Sequence, residues 1–395
     1  MFGFNQIHVH IFRSAILLLC ILVCNSSFSQ QKRKSQLKSG KNIISSKSKK
    51  NKLNILSGAD GPYIINDTLA IRVSRQNDIR TSSVKLGDSI LVEVDNIDKD
   101  RFYINLNSEY NIPKTEYKMP DKLVVLSDIE GNYNALYGLL LANNIIDKDH
   151  NWIFGNGHLV INGDIIDRGK NVTQVLWLLY KLDQQSKKYD GKVHVIIGNH
   201  EILNLHGDNR YNRGKYINVA QKISGLDKQK EALEYLFSPT TELGKWLSTK
   251  NVVEKIGGYI FVHGGLSKDL LDYKLSLKQI NQIARSNYHN SRQNQKNETI
   301  KFLYGSKGPF WYRGLAKKKL KSKHFDEILK FYNSEKIVVG HTVVDQVQTG
   351  YNGRFINIDV KHGKEKFSGT SFALLIINRS EYIIDDIGNK TPLKY

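Results

Sequence analysis

The segment HLVINGDIIDRG, residues 158–169, decides the fold class because it joins two different patterns. It begins with a short apolar run of the kind found in strands that are buried on both faces. A polar turn with two glycines follows, and residues 172–182 then show the periodicity of a helix. A buried strand that leads through a polar turn into a helix is the repeating unit of α/β proteins.

The same unit recurs along the chain. Further buried strands are predicted at 123–127, 193–197, 259–262 and 337–339. A helix is predicted at 134–143, and an antiparallel hairpin at 371–385. The alternation predicts an α/β core over residues 121–395. Within it, the mostly polar segment from about 207 to 310 is longer than one connection needs, so it is predicted to be a helical insertion over the site.

Three segments precede this core. Residues 1–29 carry a charged start, a short apolar run and a small-residue exit, which together predict a secretory signal peptide. Residues 30–57 are rich in Lys and Ser and predict a disordered basic linker. Residues 58–120 show short alternating runs divided by turn residues, which predict a small β section.

The leader also bears on location. Its apolar run is about half of the ~20 residues that span a bilayer, so the mature chain is expected to have no transmembrane span. We therefore expect an exported protein, periplasmic or secreted. A lipid anchor on Cys24 is the minor alternative, because the bulky Val23 precedes it.

Composition excludes several kinds of site. Both cysteines, Cys20 and Cys24, lie in the predicted leader. A mature chain without thiols has no disulfide scaffold, no cysteine-based zinc site and no cysteine nucleophile. The net charge of +20 favours anionic partners without selecting one. The lysine-rich segment 317–323 has no interleaved aromatic residues, so no specific nucleic-acid binding is expected.

Polar residues follow five of the predicted strands. Each of these polar segments alone is typical of a turn or loop. Five such segments, each directly after a predicted buried strand, indicate a shared site instead. Ligands of open α/β sheets collect at the carboxyl ends of strands, so these ends are expected to bring six donor side chains together. The six donors are Asp128, Glu130, Asp164, Asn199, His263 and His341.

These motifs are similar to those of the calcineurin-like metallophosphoesterases. The order is Asp-x-Glu-Gly from residue 128, Gly-Asp-x-x-Asp-Arg-Gly from 163, Gly-Asn-His-Glu from 198, His-Gly-Gly from 263 and Gly-His-Thr from 340. Within that family the chain most resembles the phosphoprotein phosphatase branch, in particular its bacterial and Shewanella-like members. The resemblance implies a metallophosphoesterase-type β-sandwich core flanked by helices.

The resemblance also implies roles for individual residues. Asp164 would bridge two metal ions, with Asp128 and Glu130 completing one ligand set. Asn199, His263 and His341 would complete the other. His200 would protonate the leaving group, held by Asp167. Arg168 and Arg313 would bind phosphate oxygens, with Arg210 as a weaker candidate.

One position departs from the family pattern. Relatives usually have histidine where this chain has Glu130. An all-oxygen ligand set suits hard cations better than zinc. Of the four metals that the resemblance allows (Mn, Fe, Mg and Zn), Mn or Fe is therefore favoured for the two cations.

The expected activity is hydrolysis of phosphomonoesters by metal-activated water, on phosphorylated proteins, with phosphotyrosine included, or on small phosphoesters. The presence of Asp167 beside Arg168 favours this branch over diadenosine tetraphosphatase relatives. Two alternatives stay open. One is a phosphodiesterase or nucleotide phosphohydrolase of the same fold, and the other is a non-catalytic relative that binds metal and phosphate.

Overall fold

The computed structural model describes residues 60–107, 109–290 and 296–395, all of which fall in one compact unit. The predicted signal peptide, the basic linker and Cys24 lie outside the described residues. Within the described part of the chain, no helix has both the length and the apolar character needed to span a membrane.

Two six-stranded sheets form the core. The first has the order β17-β16-β15-β7-β8-β9 and the second β13-β14-β12-β11-β10-β6. The strands of the first are β7 (Lys122–Leu126), β8 (His158–Asn162), β9 (Lys192–Ile196), β15 (Phe372–Ile377), β16 (Ser380–Asp385) and β17 (Lys390–Pro392). Those of the second are β6 (Glu116–Tyr117), β10 (Val253–Ile256), β11 (Tyr259–Val262), β12 (Lys336–Val339), β13 (Gln348–Gly350) and β14 (Phe355–Asn357).

Both sheets contain parallel and antiparallel pairs. In the first sheet β7, β8 and β9 run parallel, whereas β15 pairs antiparallel with both β7 and β16. In the second, β11, β12 and β14 run parallel. The five predicted core strands and the terminal hairpin are therefore present.

The two sheets pack face to face. Alternate residues of β7 point to opposite sides, so Leu123 and Val125 enter a core shared with Phe261 and Val338 of the second sheet. The intervening residue Val124 joins the larger core that the helices cover. The α/β sandwich with helices outside it agrees with the predicted fold class.

Nine α-helices occur among the described residues. They are α1 (Tyr133–Ala142), α2 (Val172–Ser186), α3 (Asn199–Leu205), α4 (Gly214–Ser224), α5 (Gln229–Leu236), α6 (Glu242–Ser248), α7 (Leu277–Arg285), α8 (Glu298–Leu303) and α9 (Ser322–Phe331). The segment predicted as a helical insertion, about 207–310, also contains β10 and β11, which belong to the second sheet. The segment 207–310 is therefore not a single insertion but two helical parts on either side of the β10–β11 hairpin. Every residue of β11 is buried, so this hairpin belongs to the core.

The β section consists of β1 (Asp60–Ile65), β2 (Leu69–Val73) and β3 (Ile79–Ser83) in one sheet, and a hairpin of β4 (Ser89–Glu93) and β5 (Arg101–Asn105). All six residues of β1 are buried. Tyr63 Oη lies 2.9 Å from Thr173 Oγ1 of α2, and Trp177 Nε1 donates to the Pro62 carbonyl at 2.8 Å. These contacts fix the β section on helix α2.

Candidate active site

A cavity of about 780 Å³ lies where the strands of the two sheets end. Asp128 and Glu130 follow β7, and Asp164 follows β8. Asn199 begins helix α3 after β9, and His341 follows β12. Asp128 and Asp164 follow parallel strands of the first sheet, whereas His341 follows a strand of the second. Because the two packed sheets present these strand ends on the same side, residues more than two hundred positions apart share one cavity.

Asp164 stands at the centre of the site. Its Oδ2 lies 3.0 Å from His263 Nε2 and 3.6 Å from His200 Nε2, while its Oδ1 accepts the backbone N–H of His200 at 3.0 Å. Burial alone would raise the pKa of Asp164, but His263 and His200 outweigh it and hold that pKa below its usual value. Asp164 is therefore an anionic centre shared by several groups.

Two glycines permit this close packing. A side chain at Gly163 would bring a Cβ within 2.5 Å of His263 Nδ1, and one at Gly198 would come within 2.4 Å of Asp164 Oδ1. Gly163 also has a φ of +88°, which glycine adopts without steric cost. Neither position can take another residue while the site keeps its shape.

The donor atoms fit metal ions in two overlapping groups. Ligand atoms of Asp164, His263 and His341 lie within 4.8 Å of one another, and so do those of Glu130, Asp164 and His200. His341 Nε2 is buried with no hydrogen-bond partner among the described residues, and a cation would satisfy it. Burial lowers the pKa of His341 to about 2, with a further contribution from His263, so this imidazole is neutral, as a ligand must be.

The remaining predicted donors lie at the edges of these groups. Asn199 Oδ1 is 3.1 Å from His263 Nε2. Asp128 Oδ2 accepts the N–H of His341 at 3.2 Å and the hydroxyl of Ser127 at 2.5 Å. Burial, and after it the neighbouring carboxylate of Asp359, raise the pKa of Asp128. A nearby cation would relieve this repulsion.

His200 is held by a hydrogen-bonded chain. Its Nδ1 lies 2.8 Å from Asp167 Oδ2, and Asp167 Oδ1 accepts from the side-chain amides of Asn204, at 3.0 Å, and Asn212. Burial alone would lower the pKa of His200, but the carboxylates of Asp164 and Asp167 more than offset it, and the pKa is raised. With Nδ1 fixed on Asp167, Nε2 is the atom that can give a proton to a substrate.

Arg168 and Arg313 both line the cavity. Arg168 forms an ion pair with Glu130, and its Nη2 lies 3.5 Å from His200 Nε2. The carbon of its guanidinium lies 5.2 Å from the centroid of the Tyr211 ring. Arg313 donates to the His341 carbonyl. Arg210 is not among the lining residues; it is exposed and pairs with Asp208.

The structure adds residues to which sequence reasoning gave no role. Glu201 is fully buried and accepts backbone N–H groups from Asp164 (3.0 Å), Ile165 (2.8 Å) and Gly198 (2.8 Å). Tyr211 stacks on the ring of His200 at 4.7 Å. For Glu201 a signal was available, since it closes the Gly-Asn-His-Glu motif.

Asp359 is another such residue. It lines the cavity and follows β14 by two positions, so it too lies just beyond a strand end. Burial raises the pKa of Asp359 to about 6, although the neighbouring His263 acts in the opposite direction. The rule that located the first five segments also applies to this sixth strand.

Comparison with known proteins agrees with this geometry. A family model described as calcineurin-like phosphoesterase matches residues 122–345. Shewanella-like protein phosphatase 1 of Plasmodium berghei (strain Anka) is 30% identical over 261 residues, covering 64% of this chain and 70% of that protein. Shewanella-like protein phosphatase 2 of Arabidopsis thaliana is 26% identical and covers 65% and 75%.

A solved structure is also similar. It is the cold-active protein-tyrosine phosphatase of a psychrophile Shewanella species, 33% identical, with a TM-score of 0.76 over 86% of this chain and 100% of that one. These matches confirm the resemblance that the motifs indicate, and with it the fold class.

Proposed function

We propose, from the premise that this chain belongs to the calcineurin-like phosphoesterase family, that it is a two-metal phosphatase acting on phosphomonoesters. Phosphorylated proteins, with phosphotyrosine among the target residues, are the favoured substrates. Two Shewanella-like relatives carry the name protein phosphatase, and the similar solved structure is a protein-tyrosine phosphatase. The observation that carries the proposal is the sharing of Asp164 by two groups of ligand atoms.

Two ligand sets would hold the cations. Asp164 would contribute to both, because its two oxygens face different neighbours. Asp128 and Glu130 would complete one set, and Asn199, His263 and His341 the other. When bound, such a pair of cations supplies an activated water and positive charge at the phosphoryl oxygens.

The chain's own side chains would do the rest. Arg168 and Arg313 would orient the phosphoryl group, since guanidinium groups present paired donors to phosphate oxygens. His200 Nε2 would protonate the leaving oxygen, and Asp167 would keep the imidazole in the tautomer that carries this proton. Burial of both His200 and Asp167 strengthens the charge interaction between them.

Metal removal tests this function. Chelation followed by desalting should abolish hydrolysis of p-nitrophenyl phosphate, and added Mn²⁺ should restore it, because the proposed mechanism takes its water nucleophile from the bound cations. Bis(p-nitrophenyl) phosphate, a diester, should be cleaved more slowly than the monoester. Full activity after chelation would contradict the proposal, and faster cleavage of the diester would favour the phosphodiesterase alternative.

The identity of the metals depends on Glu130. Replacing Glu130 with histidine should raise the zinc-to-manganese ratio of the purified protein by roughly an order of magnitude, because imidazole binds zinc better than a carboxylate does. Elemental analysis of protein expressed with equal Mn, Fe and Zn measures it. Glu365→His is the matched control, as Glu365 lines the same cavity but is not one of the proposed donors. Zinc as the main metal of the unsubstituted, fully active protein would contradict the preference.

Export is part of the proposal and is supported by the leader pattern of residues 1–29. The mature chain would then act in the periplasm or outside the cell. N-terminal sequencing of the protein recovered from cell fractions tests it, with cleavage before Gln30 as the expected result and an intact leader on all of the protein as the contrary one.

A further inference from the structure

We infer that the cavity binds an acidic segment of a phosphorylated polypeptide, and that a basic rim recognises the carboxylates flanking the phosphorylated residue. The basic rim consists of Lys170, Arg213, Lys361 and Lys364. This inference rests on the proposed phosphatase function and adds to it the class of substrate.

Charge at the cavity mouth is strongly unbalanced. The four side chains of the basic rim are exposed, and within the described ranges none of them forms an ion pair. Two acidic side chains, Asp95 and Glu365, line the same outer part of the cavity, and Asp95 is already paired with Arg75. Of the deeper carboxylates, those of Asp128, Glu130 and Asp164 are proposed to bind cations, and the fourth is that of Asp359. The mouth therefore presents an excess of positive charge that attracts anionic partners.

The loop that carries two of these lysines is held in place. Asn132 Nδ2 donates to the Gly363 carbonyl at 2.7 Å, and Asn134 Nδ2 donates to the Lys364 carbonyl at 3.1 Å. His362 Nε2 lies 2.9 Å from the Ser127 carbonyl, next to Asp128. The backbone that carries Lys361 and Lys364 is thus tied to the loop that carries the proposed metal ligands, so both side chains start from a fixed position at the cavity mouth and reach out from it on flexible stems.

The β4–β5 hairpin adds one exposed apolar side chain, that of Ile97, to the cavity. Its turn, residues 95–97, lines the cavity and is fastened by Asn96 Nδ2, which donates to Asn134 Oδ1 at 2.9 Å. Ile97 in the turn is 85% exposed, and Val343, which also lines the cavity, is 64% exposed. Uncovered apolar side chains beside a polar centre fit the side chains of a polypeptide better than a small phosphoester.

Size and stacking favour a polypeptide over a nucleic acid. A volume of about 780 Å³ holds several residues around one phosphoryl group. Proteins that bind single strands offer free aromatic faces to the bases. Here Tyr211, which is 38% exposed, stacks on His200 with one ring face and has the Arg168 guanidinium over its ring at 5.2 Å. Trp311 packs edge-on against His341. The described residues that line the cavity mouth thus leave positive charge and aliphatic surface for a ligand.

Three phosphopeptides that differ only in flanking residues test the inference. Glu, Gln or Lys surrounds the same phosphorylated residue, and kcat/KM is measured with Mn²⁺-loaded, full-length mature protein. The Glu peptide should exceed the Gln peptide by about five-fold at low salt, within the two- to thirty-fold range of two exposed ion pairs. The ratio should fall towards one at high salt, and the Lys peptide should be the poorest substrate.

Two variants locate the effect. The double variant Lys361→Ala/Lys364→Ala should reduce the Glu-to-Gln ratio to about two or less. Lys317→Ala/Lys319→Ala is the matched control, because it removes the same charge from exposed lysines that do not line the cavity, and its ratio should equal that of the unsubstituted protein. Ratios are compared within one preparation, so differences in metal loading cancel.

Different results would contradict different parts of this inference. Equal kcat/KM for the Glu and Gln peptides, or equal ratios in the two double variants, would overturn the acidic preference. Competitive inhibition by a DNA oligonucleotide that matched that by an acidic peptide of the same charge would overturn the polypeptide assignment. If Mn²⁺-loaded protein failed to hydrolyse p-nitrophenyl phosphate as well, the proposed function itself would be wrong.

Discussion

Replacing His200 with asparagine should lower kcat/KM on a phosphoserine peptide by roughly 10²–10⁴-fold, the usual contribution of a general acid. Serine is a poor leaving group because its alkoxide is strongly basic, so it must be protonated as the P–O bond breaks. His200 Nε2 is suited to this, since Nδ1 is fixed on Asp167 at 2.8 Å and the pKa of His200 is raised above its usual value despite burial.

Substrates with different leaving groups distinguish the general-acid role of His200 from a role in metal binding. The p-nitrophenolate ion is a weak base that departs without protonation, so the same variant should lose much less activity on p-nitrophenyl phosphate. Asp167→Asn should change the ratio between the two substrates in the same direction, because it disturbs the orientation of the imidazole and not the ligand set. Rates on both substrates, measured over pH, give the result.

Metal content provides the second readout. His200 belongs with Glu130 and Asp164 to one of the two groups of potential ligand atoms, so it could instead bind a cation. As a general acid it can be replaced without loss of metal. Equal losses on both substrates, together with reduced metal content in His200→Asn, would show that His200 is a ligand.

The sequence was most informative at strand ends. Ligands collect at the carboxyl ends of parallel strands, so the sequence predicts that Asp128, Asp164 and His341 lie together, although β12 belongs to the second sheet and not to the sheet of β7 and β8. The prediction depended only on finding buried strands, whose apolar runs are unambiguous. The α/β class and the core strands therefore followed from local patterns, whereas the packing of two sheets into a sandwich was implied only by the resemblance to the metallophosphoesterases.

Loop geometry could not be predicted in the same way. Arg210 was a candidate for phosphate binding, but its side chain turns to Asp208 two residues away, a local pairing that competes with any distant target. Arg213, three residues later, lines the cavity instead. Both are arginines in one polar segment, and pattern alone does not distinguish them. Strand β10 was not predicted because its sequence is partly polar. Its buried Glu254 has a partner in His194, whose Nδ1 lies 2.6 Å from Glu254 Oε2.

Glu201 shows a different limit of sequence reasoning, since its importance lies in backbone contacts. Oε1 accepts the N–H groups of Ile165 (2.8 Å) and Ile166 (3.3 Å), and Oε2 accepts those of Asp164 (3.0 Å) and Gly198 (2.8 Å). One carboxylate thus joins the turn after β8 to the turn after β9. Burial and the adjacent Asp164 raise the pKa of Glu201 to about 6, so it is ionised at neutral pH.

Replacing Glu201 with glutamine should therefore destabilise the protein and lower metal affinity together. The glutamine amide has one oxygen and one NH2 group, and the NH2 group would face backbone N–H donors that now donate to a Glu201 oxygen. These buried N–H groups would then have no acceptor. At ~1–3 kcal/mol for each unsatisfied group, the free energy of unfolding should fall by roughly 3–5 kcal/mol. Denaturant unfolding of the metal-free protein measures this fall without any contribution from bound cations.

Glu254→Gln is the matched control, because it too replaces a buried glutamate but contacts His194 and Asn251, away from the cavity. Both variants should lose stability, but only Glu201→Gln should also weaken Mn²⁺ binding in titrations under conditions where each variant is folded. The reason is that Asp164 and Asn199 sit on the two turns that Glu201 joins. If Glu201→Gln bound Mn²⁺ as tightly as the control, the turns would keep their positions without this carboxylate, and the ligand geometry would be set by the strands themselves.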